Sequence, residues 1–262
     1  MKIGIFQLTS ALDYKQNLEK ISACLVEANA QSVEALFLPE CFYSMSDGSE
    51  PTPFLIHDDN EHYKNIQTLA KESGIYLLGG SAATSKNKSI VNRAYNFDPS
   101  GKDLGFYDKR HLFSCDITKD GVQKKINEGD IYSPGAQSKI IEAGPLKIGL
   151  GICVDLRFSE LAHDYRMKGA NLLTFSSAFT VPTGKAHWHT LLRARAIENQ
   201  LFVVAPAQYG RHNAKISTYG HSLIIDPWGE VLADAGEGEK LITAEIDLTQ
   251  LDRVRSSVIM NR

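Results

Sequence analysis

The chain has 262 residues, 43% of them hydrophobic and 23% charged, the balance of a soluble globular protein with a large core. A formal net charge of −3 offers no electrostatic footprint for nucleic acid or an anionic membrane, and no apolar run approaches the roughly 20 residues that cross a bilayer. The four cysteines, Cys24, Cys41, Cys115 and Cys153, show no Cys-x-x-Cys spacing, which argues against a zinc site or a redox pair and fits a reducing cytoplasm.

Residues 2–8 read directly as a strand, their apolar stretch being too short for a signal peptide. Leu18, Ile21, Leu25 and Ala28 then recur at helical spacing with Glu19, Lys20 and Glu27 around them. Residues 33–39 form a second apolar strand that delivers Glu40 at its C-terminal end. A helix is expected over residues 61–73 and strands over 75–81 and 93–97. The turn Asp98-Pro99-Ser100-Gly101 follows, then the polar run Tyr107-Asp108-Lys109-Arg110-His111-Leu112. Residues 119–129 make one long polar loop, suited to act as a lid. Further strands are expected at 146–152, 171–176, 201–205, 221–226 and 241–246, and helices at 158–168 and 186–200. Residues 223–225 and 231–232 pair as a hairpin around Pro227-Trp228-Gly229-Glu230. Strands alternating with helices predict an α/β protein, and near-continuous apolar strands predict a sheet covered on both faces. No linker-like composition divides the chain, so residues 1–262 read as a single domain.

Cys153 falls in the turn between strand 146–152 and helix 158–168. A thiol placed there, beside free N–H groups at a helix start, sits where thiolate and oxyanion are both stabilised. In an open α/β sheet the strand C-termini gather along one edge, so Glu40, Lys109 and Cys153 can meet in one pocket. Together they supply a proton carrier, a cationic oxyanion donor and a nucleophile, the parts for acyl transfer. Competing motifs fail on their chemistry. Gly149-Leu150-Gly151 lacks the third glycine of a dinucleotide fingerprint, and Gly220-His221-Ser222 supplies half of a serine-hydrolase elbow. His187-Trp188-His189 has a metal-like spacing, but on a helix its two imidazoles point about 200° apart. A non-catalytic interaction scaffold would lack a catalytic residue, and all three are present.

Three segments resemble the catalytic motifs of the nitrilase superfamily, the carbon–nitrogen hydrolases: Leu38-Pro39-Glu40, Tyr107-Asp108-Lys109-Arg110-His111-Leu112 and Gly151-Ile152-Cys153-Val154-Asp155-Leu156-Arg157. Their order and separation fit, and the resemblance extends from Ile3 to about Asp247. Glu128 matches the position of that family's second active-site glutamate. Residues 178–188, 193–198, 205–212 and 219–222 resemble one branch, the deaminated-glutathione amidases. Val154 stands where most relatives carry tyrosine, but its implied role, a backbone N–H at the oxyanion, does not depend on the side chain. The resemblance implies a four-layer αββα sandwich, a homodimer or larger homo-oligomer, and hydrolysis of a small-molecule amide through a cysteine thioester. It implies no metal or organic cofactor. Deaminated glutathione is the expected substrate, with an ω-amidase acting on α-ketoglutaramate as the alternative. Arg211 and Lys185 are the expected cations for the substrate's carboxylates, with Phe179 and Tyr209 as walls.

Overall fold

The computed structural model describes residues 1–57, 59–119 and 122–260. Two mixed sheets face each other. The first has the order Lys240–Glu245, Lys2–Gln7, Ala35–Phe37, Tyr76–Leu78, with the last three strands parallel. The second has the order Val231–Asp234, Leu223–Ile225, Phe202–Ala205, Leu172–Ser176, Leu146–Ile152, Ile140–Ala143, again with a parallel centre and antiparallel edges.

Side-chain alternation sorts the residues into layers. Ile3, Ile5, Ala35, Phe37 and Leu78 of the first sheet share one core with Ile148, Leu150 and Leu172 of the second. Phe6, Leu36 and Leu77 turn the other way, onto helices α1 (Tyr14–Ala30) and α2 (Glu61–Ser73). Helices α3 (Ser159–Met167) and α4 (Val181–Asn199) cover the second sheet through Leu161, Ala162, Tyr165, Trp188, Leu192 and Ala196. The result is the four-layer αββα sandwich. Each fully buried Leu, Ile or Phe in it contributes about 1.5–3 kcal/mol of transfer free energy. No helix among the described residues is long and apolar enough to cross a membrane.

Local chemistry sets the helix ends. Asn60 caps α2 by accepting from the Tyr63 N–H at 3.0 Å, and Gly74 ends it at φ 67°, a left-handed position that suits glycine. α4 starts at Val181, five residues before the expected 186, because Pro182 fits a first helical turn. The expected strand 75–81 is two strands: Tyr76–Leu78, and a separate Ser81–Lys86 that pairs with Ser89–Ala94. The expected polar loop 119–129 is mostly the second half of a hairpin, Ser114–Lys119 with Val122–Asn127. Residues 120 and 121 at its tip lie outside the described residues. Sequence reading also missed helix α5 (Thr249–Ser257) and the hairpin of Tyr209–Arg211 with Ser217–Tyr219.

Gly149 and Gly151 have a packing explanation. A Cβ on Gly149 would lie 2.5 Å from the Tyr165 ring, and one on Gly151 would lie 2.7 Å from the Phe175 ring. Bare backbone here lets two aromatic rings lie directly on the strand that leads to Cys153.

Candidate active site

The strand C-termini of both sheets open on one cavity of about 700 Å³. Glu40, three residues beyond strand Ala35–Phe37, lines it together with Cys153, which follows strand Leu146–Ile152 directly. Lys109 follows the short strand Tyr107–Asp108, and its main chain is tied on both sides: its N–H donates to the Asn92 carbonyl at 2.9 Å, and its carbonyl accepts from Gly135 N–H at 2.8 Å.

Lys109 is fully buried, with Nζ 2.8 Å from Glu40 Oε1 and 2.8 Å from a carboxylate oxygen of Glu128. Burial works against its charge, but the two carboxylates outweigh it and hold its pKa well above the ordinary lysine value. Each carboxylate has further anchors. Glu40 Oε1 accepts from Asn92 Nδ2 at 2.9 Å and Oε2 from the Ala178 N–H at 2.9 Å. Glu128 accepts from the Phe113 N–H at 2.8 Å, and burial raises its pKa despite Lys109. Two carboxylates around one ammonium leave a net negative charge, so the group has the capacity to accept a proton.

Cys153 sits at φ 52°, a left-handed conformation uncommon for a residue with a side chain. Burial, reinforced by Glu40 and opposed by Lys109, pushes its thiol well above the usual range. Val154 is the second residue of the 3₁₀ turn Cys153–Arg157, in the part of a helix whose N–H groups have no intrahelical acceptor. Asp155 locks this turn to the Lys109 segment. Its carboxylate accepts from Tyr107 Oη at 2.7 Å, from Ile152 N–H at 3.0 Å and from His111 N–H at 3.0 Å.

The remaining expected residues divide. Phe179 lines the cavity, buried against Trp188 at 4.7 Å between ring centroids. Lys185, Tyr209 and Arg211 do not line it. Lys185 is exposed on α4, because the helix begins earlier than expected and turns that position to solvent. Arg211 is exposed and donates from Nε to the Asn213 carbonyl at 3.2 Å. Tyr209 is held in its hairpin, where its ring lies over Gly220.

The cavity cation is Arg157, four residues beyond Cys153. Its guanidinium lies 5.3 Å over the Phe179 ring and 3.3 Å from His187 Nδ1, and it has no carboxylate partner among the described residues. Lys215, also on the lining, is paired with Asp47 at 2.7 Å. In the sequence Arg157 lies inside the cysteine motif, where nothing local marks it for a role. Sequence reasoning also missed Asn92 and Cys41, whose thiol is raised by burial and then by Glu40.

The carbon-nitrogen hydrolase family model matches residues 2–256. The omega-amidase NIT2 of Xenopus tropicalis is 36% identical over 261 residues, covering 100% of this chain and 94% of that protein. The nitrilase and fragile histidine triad fusion protein NitFhit of Caenorhabditis elegans is 38% identical over 260 residues, which are 97% of this chain and 58% of the fusion. The NitFhit crystal structure aligns at a TM-score of 0.87 and 35% identity over 98% of this chain and 63% of that one. Saccharomyces cerevisiae Nit3, a member of branch 10 of the nitrilase superfamily, aligns at 0.86 and 30% identity over 100% of this chain and 96% of its own.

Proposed function

The chain belongs to the carbon–nitrogen hydrolase family, the nitrilase superfamily, and from that premise we propose that it is an amidase cleaving the ω-amide of a small carboxylic acid through a cysteine thioester. Glu40 takes the Cys153 proton as the sulfur attacks the amide carbon. Lys109 Nζ and the Val154 N–H stabilise the oxyanion, where loss of one such donor typically costs about 3–4 kcal/mol. Glu40 then passes its proton to the leaving nitrogen, the C–N bond breaks and ammonia departs from a thioester. A water deprotonated by Glu40 attacks that thioester, releasing the acid and returning the thiol. Glu128 acts through Lys109, fixing its position with a second bond to Nζ at 2.8 Å.

One observation carries the substrate reading: a guanidinium without a carboxylate partner among the described residues lines the same cavity as the Glu–Lys–Cys group. Arg157 is suited to bind a carboxylate at the far end of the substrate. A relative named as an ω-amidase, which this chain matches along its whole length, favours α-ketoglutaramate over the deaminated glutathione expected from residues 178–188. Deaminated glutathione remains a second reading because a cavity of about 700 Å³ has room beyond a five-carbon amide. A homodimer or larger homo-oligomer belongs to the same proposal, tested by light scattering.

The test is Arg157→Ala, assayed on α-ketoglutaramate and on butyramide, which has no carboxylate. A charge-assisted bond is worth about 1.5–3 kcal/mol, so KM for the acid should rise about tenfold to a hundredfold while butyramide is unaffected. Equal losses on both substrates would refute the anchor. A tenfold higher kcat/KM for deaminated glutathione in the wild type would select the second reading.

A further inference from the structure

We infer that His189, His221 and Asp234 form a binding site for one divalent transition-metal ion of the zinc class, outside the catalytic cavity. His189 Nε2 lies 3.1 Å from Asp234 Oδ2, and His221 Nδ1 lies 3.0 Å from Oδ1 and 3.2 Å from Oδ2. The three donor atoms all lie within 4.8 Å of one another, and no other trio of potential metal ligands converges this way among the described residues. Bonds of about 2.0–2.1 Å to a tetrahedral ion put its ligands about 3.4 Å apart, so these donors need only small shifts to share one. Two imidazoles and a carboxylate, with no thiol, suit zinc and its neighbours better than calcium or magnesium.

The ligands come from three separate elements: α4, the turn after Ser217–Tyr219, and the strand Val231–Asp234. Two of them are held from outside. Asp234 Oδ1 accepts from the Gly236 N–H at 2.7 Å. His221 donates from its own N–H to the Gly236 carbonyl at 3.0 Å and accepts on its carbonyl from Trp188 Nε1 at 2.7 Å. Its ring stacks on Tyr219 at 4.5 Å. Such supporting contacts are what fix ligand orientation in metal sites. Side-chain exposures of 24–37% leave room for a water as fourth ligand. His187, the other histidine of the His-x-His run, meets Arg157 instead, so the site arises from long-range pairing and not from that spacing.

None of the three residues lines the catalytic cavity, so the ion's role is to staple α4 to the edge of the second sheet. The test uses the full chain, stripped with a chelator and titrated with zinc by calorimetry, then with cobalt by absorption spectroscopy. One ion per chain at micromolar or tighter Kd is expected, retained in Cys153→Ala and weakened at least tenfold in His189→Ala and Asp234→Asn. Cobalt should give visible d–d bands without a thiolate charge-transfer band. At a hundredfold excess over Kd the metal should raise Tm by about 5 °C in wild type and not in His189→Ala, whose metal-free Tm shows that it folds. The proposal is overturned by weaker or non-stoichiometric binding, by binding that His189→Ala leaves intact, or by binding that disappears with Cys153→Ala.

Discussion

Replacing Lys109 by methionine keeps an unbranched apolar stem of about the same length and removes the ammonium. The wild-type Nζ lies 2.8 Å from both Glu40 and Glu128, with the lysine side chain fully buried. Breaking a buried ion pair from one side typically costs about 3–5 kcal/mol, because the other charge is left uncompensated. Here two carboxylates would be left, and one of them relieves the strain by binding a proton. Glu128 already has its pKa raised in the wild type, and the variant extends that rise. A carboxyl whose folded pKa exceeds its unfolded value contributes stability that is present below the unfolded pKa and lost as pH rises through the folded one. Lys109→Met should therefore approach wild-type stability in mild acid and fall away towards neutral pH. Wild-type Lys109, its pKa also raised, contributes up to and beyond the ordinary lysine range and gives no such slope near neutrality. On the proposed mechanism the same substitution removes an oxyanion donor, so acylation should slow by about 10²–10³. Urea unfolding at pH 5, 7 and 9 and single-turnover acylation measure both effects. Acylation within threefold of wild type, or a stability loss equal at all three pH values, would refute the reasoning.

Cys153→Ala should abolish turnover on every amide while circular dichroism and Tm stay close to wild type, and residual turnover would remove Cys153 as nucleophile. Asn92→Leu deletes the 2.9 Å bond to Glu40 Oε1 and should lower kcat about tenfold with little change in KM, separating the positioning of the base from substrate binding. Gly149→Ala drives a methyl into the Tyr165 ring and should cost about 1–3 kcal/mol, read as a lower urea midpoint at unchanged m-value.

The residues legible in the sequence share a local cause. Glu40 and Cys153 follow apolar strands whose ends a one-dimensional pattern reveals, and strand 146–152 was placed to the residue. What the pattern hid depends on three dimensions. Asn92 lies inside a strand, and its role comes from long-range bonds to Glu40, 52 positions away, and to the Lys109 main chain. Arg157 stands in the cysteine motif, but that it meets no acidic partner among the described residues is a property of the folded cavity. The charge of Lys185 and Arg211 suits a carboxylate, but helix phase and hairpin geometry send both to solvent. Residues 119–129 read as a loop because Lys119, Gln123, Lys124, Lys125 and Asn127 show no apolar alternation in sequence, yet most of the segment pairs in the hairpin Ser114–Lys119 with Val122–Asn127.

Glu40 follows a strand of one sheet and Cys153 a strand of the other, and the shared core of Ile3, Ile5, Phe37, Ile148 and Leu150 packs between those sheets. Turnover is thus a gauge of how the two sheets are seated. A methylene removed deep in that core, as in Ile148→Val, touches no substrate, yet it lets one sheet settle against the other and shifts base and nucleophile out of alignment. Displacements near 1 Å can cost about 10²-fold in rate, so such variants should lose kcat at temperatures where their secondary structure is still complete. The enzyme would then fail by misalignment before it fails by unfolding.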